Sequence, residues 1–158
     1  MISKYTIIKL IDNTKYLDEL SLWMYNWWGK DEEWSLDKIK EYLKNSCNDE
    51  KLPQTYIALE NTEVVGMCQI SMYDLDVRPD LYPWLNNVYI KLEKRNLGIS
   101  KLLIEYVIKE AKKMNLQELY LYTTHIGLYE KYGFKFISNI KTYLKKDHVQ
   151  RLYKLDLE

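Results

Sequence analysis

Glycine and proline are scarce in this chain of 158 residues, at five and three, which leaves no room for long low-complexity linkers. The two cysteines, Cys47 and Cys68, lie twenty-one positions apart with no neighbouring histidine, and His125 and His148 are the only histidines. A disulfide framework, a zinc site and a His-rich metal centre are all excluded on those grounds, so no metal is expected. Two reduced thiols, one or both buried, are the plain reading. Net charge is also missing: 23 Lys and Arg offset 23 Asp and Glu. No global positive field exists to hold nucleic acid or an anionic membrane, and neither is an expected partner. Long apolar runs are absent, and residues 1–9 have neither a signal-peptide apolar core nor a small-residue cleavage site, so a cytoplasmic protein is expected. Phenylalanine occurs twice, against fifteen Tyr and five Trp. Rings with a polar handle suit a partly wet cleft, and low-GC codon usage would enrich Tyr as well; both readings stand.

What is present is ordinary for a folded chain: 47% hydrophobic and 29% charged residues. A single domain over 1–158 is expected, and at this size folding buries about 68–70% of the unfolded surface. Residues 5–10 read as a strand that stops at Asp12 and Asn13. Leu17, Leu20, Trp23, Met24 and Trp27 recur at three and four and predict a helix over 14–28, closed by Gly29. Ser35 is placed to cap a second helix through Leu36, Ile39, Tyr42 and Leu43, with Asp37 in its first turn. Residues 56–59 and 64–72, joined by a short polar turn, read as a hairpin. Residues 78–83 hold two prolines and are irregular.

Alternation then predicts a strand over 88–92 with Val88, Ile90 and Leu92 on one face. From Gly98 the period changes to helical, with Ile99, Leu102, Leu103, Tyr106, Val107, Ala111 and Met114 on one face. Residues 118–123 form a strand, a short helix fits 127–132 with Gly133 as a left-handed stop, and strands over 134–140 and about 150–157 finish the chain. The order β-α-α-β-β-β-α-β-α-β-β contains one right-handed βαβ crossover, from 88 to 123, so those two strands are parallel. The expected fold is α/β, with a mixed central sheet and helices on both faces.

The segment Arg95, Asn96, Leu97, Gly98, Ile99, Ser100, Lys101 joins a strand to the strongest helix. Free amides and the helix dipole there make an anion site. Gly98 permits close approach to the main chain, Ser100 adds a hydroxyl, and Arg95 and Lys101 add charge. Residues 91–113 carry seven basic and three acidic residues, a local excess in a neutral chain. A P-loop and a dinucleotide fingerprint are both missing, which removes support for ATP or NAD.

Val88-Tyr89-Ile90 followed by Arg95-x-x-Gly98-Ile99-Ser100 resembles the acetyl-CoA-binding segment of the GNAT N-acetyltransferase superfamily, whose pattern is Arg/Gln-x-x-Gly-x-Gly/Ala. Tyr129-Glu130-Lys131-Tyr132-Gly133-Phe134 resembles its later Tyr-x-x-x-Gly-Phe element. Pro83-Trp84-Leu85 is similar to one branch of small bacterial members. The resemblance covers nearly the whole chain and implies a GNAT-like fold. Two departures stand out: Ser100 replaces the second small Gly/Ala, and residues 123–128 lack the Asn and Ala of many members.

The resemblance implies an acetyl-CoA-dependent N-acetyltransferase acting on a primary amine of a small molecule by direct attack in a ternary complex. Arg95, Asn96, Leu97, Gly98, Ile99, Ser100 and Lys101 would hold the diphosphate. Val88, Tyr89 and Ile90 would align the thioester between splayed strands, with Thr124 beside the donor. Tyr129 matches the general acid, since a phenol can donate to the leaving sulfur while neutral. The base stays open among Asp74, Asp76, Asp80, Glu32, Glu33 and His125, or a water relay. Asn86 and Asn87 stand where some relatives have Glu; Asn87 can orient the amine.

Trp28 and Trp34 are expected in the acceptor wall, whereas Trp23 and Trp27, four apart, read as core. An aromatic wall beside Glu32 and Glu33 suits a cationic amine. Homodimers are common in the family, though no segment here proves one. The competing readings are a longer acyl donor or a peptide N-terminus as acceptor, and a non-catalytic acyl-CoA-binding module.

Overall fold

The computed structural model describes residues 3–141 and 149–158; His148 lies outside them. Seven strands form one sheet in the order β1-β2-β3-β4-β5-β7-β6. They are β1 (Tyr5–Lys9), β2 (Gln54–Glu60), β3 (Glu63–Ser71), β4 (Trp84–Ile90), β5 (Glu118–Thr123), β6 (Lys135–Ile140) and β7 (Gln150–Asp156). All neighbours are antiparallel except β4 and β5, which are the parallel ends of the crossover. Helices α1 (Leu17–Met24) and α2 (Leu36–Lys44) cover one face, and α3 (Ile99–Lys113) covers the other.

The two faces follow from the period-2 alternation of the central strands, whose phase shifts once in β3 at the bulge opposite Ala58 and Leu59. Tyr56, Ala58 and Val65 pack with Ile99, Leu103, Val107 and Ala111 of α3. Ile57, Val64 and Met67 turn the other way, against Leu17, Leu20 and Met24 of α1 and Ile39 and Leu43 of α2. Each of the Val, Leu, Ile and Met side chains, once fully buried, contributes roughly 1.5–3 kcal/mol. A third cluster of Leu75, Trp84, Tyr120 and Leu152 closes the centre of the sheet. Among the described residues no helix is long and apolar enough to cross a membrane.

Local signals worked as their chemistry requires. Ser35 Oγ accepts from the Lys38 amide at 3.1 Å and starts α2. Gly133 stops the short turn Tyr129–Tyr132 with φ 97°. Three boundaries differ from the sequence expectation. The first helix is a 3-10 turn over Thr14–Tyr16, α1 proper, and then a wider π turn over Tyr25–Gly29, where Lys30 N–H donates to Tyr25 O at 3.0 Å. That wider turn rotates Trp27 out of the apolar stripe, so Trp27 is 42% exposed and is not core. Finally, β4 begins at Trp84 and ends at Ile90. Leu92 lies in the following turn, 73% exposed. The alternation misled because both sides of the early strand are covered and a bulge interrupts the period within it.

Gly66 of β3 sets how closely α3 approaches the sheet. A Cβ there would lie 2.7 Å from Ile90 Cδ1, 3.2 Å from Leu103 Cδ1 and 3.3 Å from Ile99 Cγ2. Gly66→Val therefore forces apart β4 and the first turn of α3, at a cost of about 1–3 kcal/mol. Urea unfolding should show that loss, and thermal stabilisation by coenzyme A should shrink with it.

Candidate active site

Strands β4 and β5 are joined by a single bridge, Trp84 opposite Tyr120, with Tyr120 N–H donating to Pro83 O at 3.0 Å. Beyond it β4 follows β3 and β5 follows β7. The divergence coincides with a bulge: Met67 pairs Tyr89 and Gln69 pairs Asn86, leaving Asn87 and Val88 together opposite Cys68. Asn87 takes φ 50°, a left-handed conformation that Asn tolerates better than most side chains. A bulge adds local twist and bends its strand. The wedge so opened is part of a cleft of about 1020 Å³.

Three groups of residues wall the cleft. Leu85, Asn86, Asn87 and Val88 come from β4. Leu121, Tyr122, Thr123, Thr124, His125 and Tyr129 come from β5 and the segment after it. Trp27, Trp28, Glu32, Trp34 and Tyr42 come from the α1–α2 region, with Tyr73, Asp74 and Asp76 from the loop after β3. Gln150 adds the start of β7. Three carboxylates and seven aromatic rings therefore line it, and among the described residues no Lys or Arg does. The rings brace one another: Trp34 meets Trp28 edge-on at 5.2 Å and Tyr42 at 5.8 Å.

Burial raises the Asp74 carboxyl to about 7, partly opposed by a hydrogen bond from Asn86 and reinforced by the negative charges of Glu32 and Asp76. Tyr129, buried at the opposite wall against Phe134, is pushed up by desolvation to about 12. Its phenol is protonated at neutral pH. Burial also raises Tyr42 and Tyr122 above the ordinary phenol value. The segment before Tyr129 is fixed by Glu130, whose Oε2 accepts from Gly127 N at 3.0 Å and from Tyr153 Oη at 3.2 Å.

Past the end of β4 the chain turns through Asn96 (φ 64°) and Gly98 (φ 85°) into α3. No side chain among the described residues caps α3, and the first main-chain helical bond runs from Leu102 N to Gly98 O at 3.3 Å. Asn96, Leu97 and Gly98 are exposed, and an added Cβ at Gly98 would meet nothing within 4 Å. The bend therefore leaves the main chain at the N-terminus of α3 open to approach, the chemistry of an anion site. Part of the local basic excess serves structure, since Lys94 binds Glu60 and Lys91 binds Glu63, both at 2.7 Å. Arg95 is held by its Nε donating to Ile90 O at 2.9 Å and by the Tyr89 ring, 5.4 Å from its guanidinium carbon. Tyr89 in turn packs between Trp23 and Trp27.

The structure brings Asn87, Val88, Thr124, Tyr129, Trp28 and Trp34 into one cleft. Tyr89 and Ile90 do not line it, nor do the seven residues of the 95–101 bend, which lie beyond the end of β4. Of the candidate bases, Asp74, Asp76, Glu32 and His125 line the cleft; Glu33 and Asp80 do not, and Asp80 is paired with Arg78 at 2.9 Å. Sequence reading missed Tyr42, Tyr73, Tyr122 and Gln150. Tyr122 had a signal in the alternation of β5; the others had none.

A model of the acetyltransferase (GNAT) family matches residues 17–134. The chain belongs to that family, whose members take their acyl group from acetyl-CoA. Among curated proteins none matches the sequence. The crystal structure of an aminoglycoside 6'-N-acetyltransferase complexed with coenzyme A superposes with a TM-score of 0.75 over 97% of each chain, at 17% identity. An N-acetyltransferase from Staphylococcus aureus Mu50 gives 0.74 over 99% of this chain and 100% of that one, at 19% identity. A GNAT family acetyltransferase from Elizabethkingia anophelis with acetyl-CoA bound gives 0.66 over 98% and 99%, at 20% identity. These likenesses establish the fold.

Asp74 makes stability depend on pH with a definite sign. The folded form keeps the proton to about 7, whereas the ordinary carboxyl value is 3.8. Between those values the native state binds more protons than the unfolded chain, so stability falls as pH rises through that window. Melting curves should show Asp74→Asn abolishing this component of the decline and gaining on the wild type above pH 7.

Proposed function

We propose that this enzyme transfers the acetyl group of acetyl-CoA to a primary amine of a cationic small molecule, by direct attack in a ternary complex. The observation that carries the reading is the cleft wall: three carboxylates and seven rings, without Lys or Arg among the described residues. Carboxylates and π-faces attract an ammonium group and disfavour an anionic acceptor. The neighbour that acts on aminoglycosides, as its description states, is compatible with such an acceptor.

In this reading the amides and side chains of Arg95, Asn96, Leu97, Gly98, Ile99, Ser100 and Lys101 hold the diphosphate. The main chain of Val88, Tyr89 and Ile90 aligns the thioester, with Thr124 across the wedge. Trp28, Trp34 and Asn87 contact the acceptor. An amine of pKa near 10 is mostly protonated at neutral pH and must lose a proton before it can attack. Asp74 takes that proton, directly or through one water; an ionisation near 7 matches the task. The new bond joins the amine nitrogen to the acetyl carbon, and the bond that breaks is the thioester C–S. The departing sulfur keeps the electron pair and receives a proton from Tyr129; the second proton, lost by nitrogen as the amide forms, returns to Tyr129 through water, and Asp74 releases the first to solvent.

The test is thiol release from acetyl-CoA with a panel of amines: an aminoglycoside, a polyamine, an amino acid amide and a peptide. Turnover on the polycations and little on the others supports the reading. A preference for the peptide N-terminus, or no thiol release with any amine, overturns it. Tyr129→Phe should lower kcat by about 10²–10⁴-fold with little change in coenzyme A affinity. Gly98→Val should weaken that affinity instead, because a β-branched side chain strains the left-handed bend.

A further inference from the structure

The kink in β4 is held from outside the cleft. Gln69 of β3 is fully buried and does not line the cavity. Its Oε1 accepts from Asn87 Nδ2 at 2.5 Å and from Tyr42 Oη at 3.1 Å. Its Nε2 donates to Thr55 Oγ1 at 2.8 Å, and Thr55 is paired with Ser46 at 2.5 Å. The amide thus presents its donor to Thr55 and its acceptor to the cleft wall, with both ends partnered. Asn87 is the left-handed residue of the bulge, and Val88 follows it directly.

We infer that Gln69 is the positioning residue for the acyl end of the donor: through Asn87 it fixes the β4 bulge, and so the main chain that meets the thioester. The inference rests on the reading of Val88, Tyr89 and Ile90 as the thioester-aligning segment. Gln69 itself touches neither donor nor acceptor. Its effect falls mainly on the pantetheine side, since the turn leading into the 95–101 bend is tied to β3 and β2 by Lys91–Glu63 and Lys94–Glu60.

Calorimetry with two probes separates these regions: acetyl-CoA, and 3'-phosphoadenosine 5'-diphosphate, which keeps the diphosphate and lacks the pantetheine arm. Gln69→Met removes the hydrogen bonds at similar volume and should weaken acetyl-CoA about tenfold, with the nucleotide unchanged within about twofold. Gln69→Glu, kept neutral by its full burial, retains an acceptor towards Asn87 and Tyr42 and an O–H donor towards Thr55, so acetyl-CoA affinity should return to within about threefold of wild type. Asn87→Ala should reproduce the selective loss, and Gln69→Met should add nothing to it.

Equal weakening of both probes, no weakening, failure of Gln69→Glu to restore affinity, or losses that multiply in the double variant would each overturn the inference. If Gln69→Met does not fold, Asn87→Ala carries the decision: an unselective or absent loss there overturns it. Wild-type protein that binds neither probe removes the diphosphate reading as well. Protein that binds both, with no thiol release from any amine, sinks only the proposed function.

Discussion

The lone bridge between β4 and β5 is the constraint on which the rest of the molecule depends. Parallel strands normally continue their ladder, because unpaired amides and carbonyls are costly once buried. Here the ladder stops after Trp84 and Tyr120, and the strand ends part company. A cleft opens in the middle of a continuous sheet, with main-chain groups on its flank. Trp84, fully buried, holds the closed end of the wedge against Tyr120 at 5.6 Å between ring centroids. Above it the bulge at Asn87 bends β4 away. Everything chemically useful lies at or beyond that point.

Two different electrostatic environments meet along β4. At its C-terminal end, uncapped amides, the dipole of α3 and Arg95 favour an anion. On the other side of the bulge, Glu32, Asp74 and Asp76 favour a cation. In the proposed reading, their separation lets a neutral chain bind a polyanionic donor and a cationic acceptor without either field cancelling the other. Salt bridges occupy Lys91 and Lys94, so in that reading the anion is met by the main chain of the bend with Arg95 and Lys101. The raised Asp74 and Tyr129 values come first from the same source, desolvation in a walled cleft. A carboxyl near 7 and a phenol near 12 are suited to opposite proton transfers at one pH.

Buried polar residues have a comparable division of labour. Gln69, Thr55, Ser46 and Tyr42 form a satisfied chain behind the cleft wall. Such a chain is costly when incomplete and rigid when complete. It backs the one strained non-glycine residue of β4. The aromatic residues act similarly at the rim, where Trp28, Trp34 and Tyr42 meet edge-to-face and Tyr89 sits between Trp23 and Trp27.

The sequence by itself determined the element order, the parallel crossover, the caps at Ser35 and Gly133, the glycine-containing bend before α3 and the family resemblance. Each of these is written in local spacing, where neighbours along the chain are neighbours in space. The wider turn after Met24, which exposes Trp27, and the bulge at Asn87 escaped it, because both are register faults that a periodic pattern hides. Tertiary structure alone sorted the acidic candidates: Asp74, Asp76 and Glu32 line the cleft, and Asp80 is turned aside with Arg78. It also placed Tyr42, Tyr73 and Gln150 in that wall and set Gln69 behind it. Those assignments depend on which loops converge and on what each side chain loses of water, and neither quantity is encoded in any single stretch of residues.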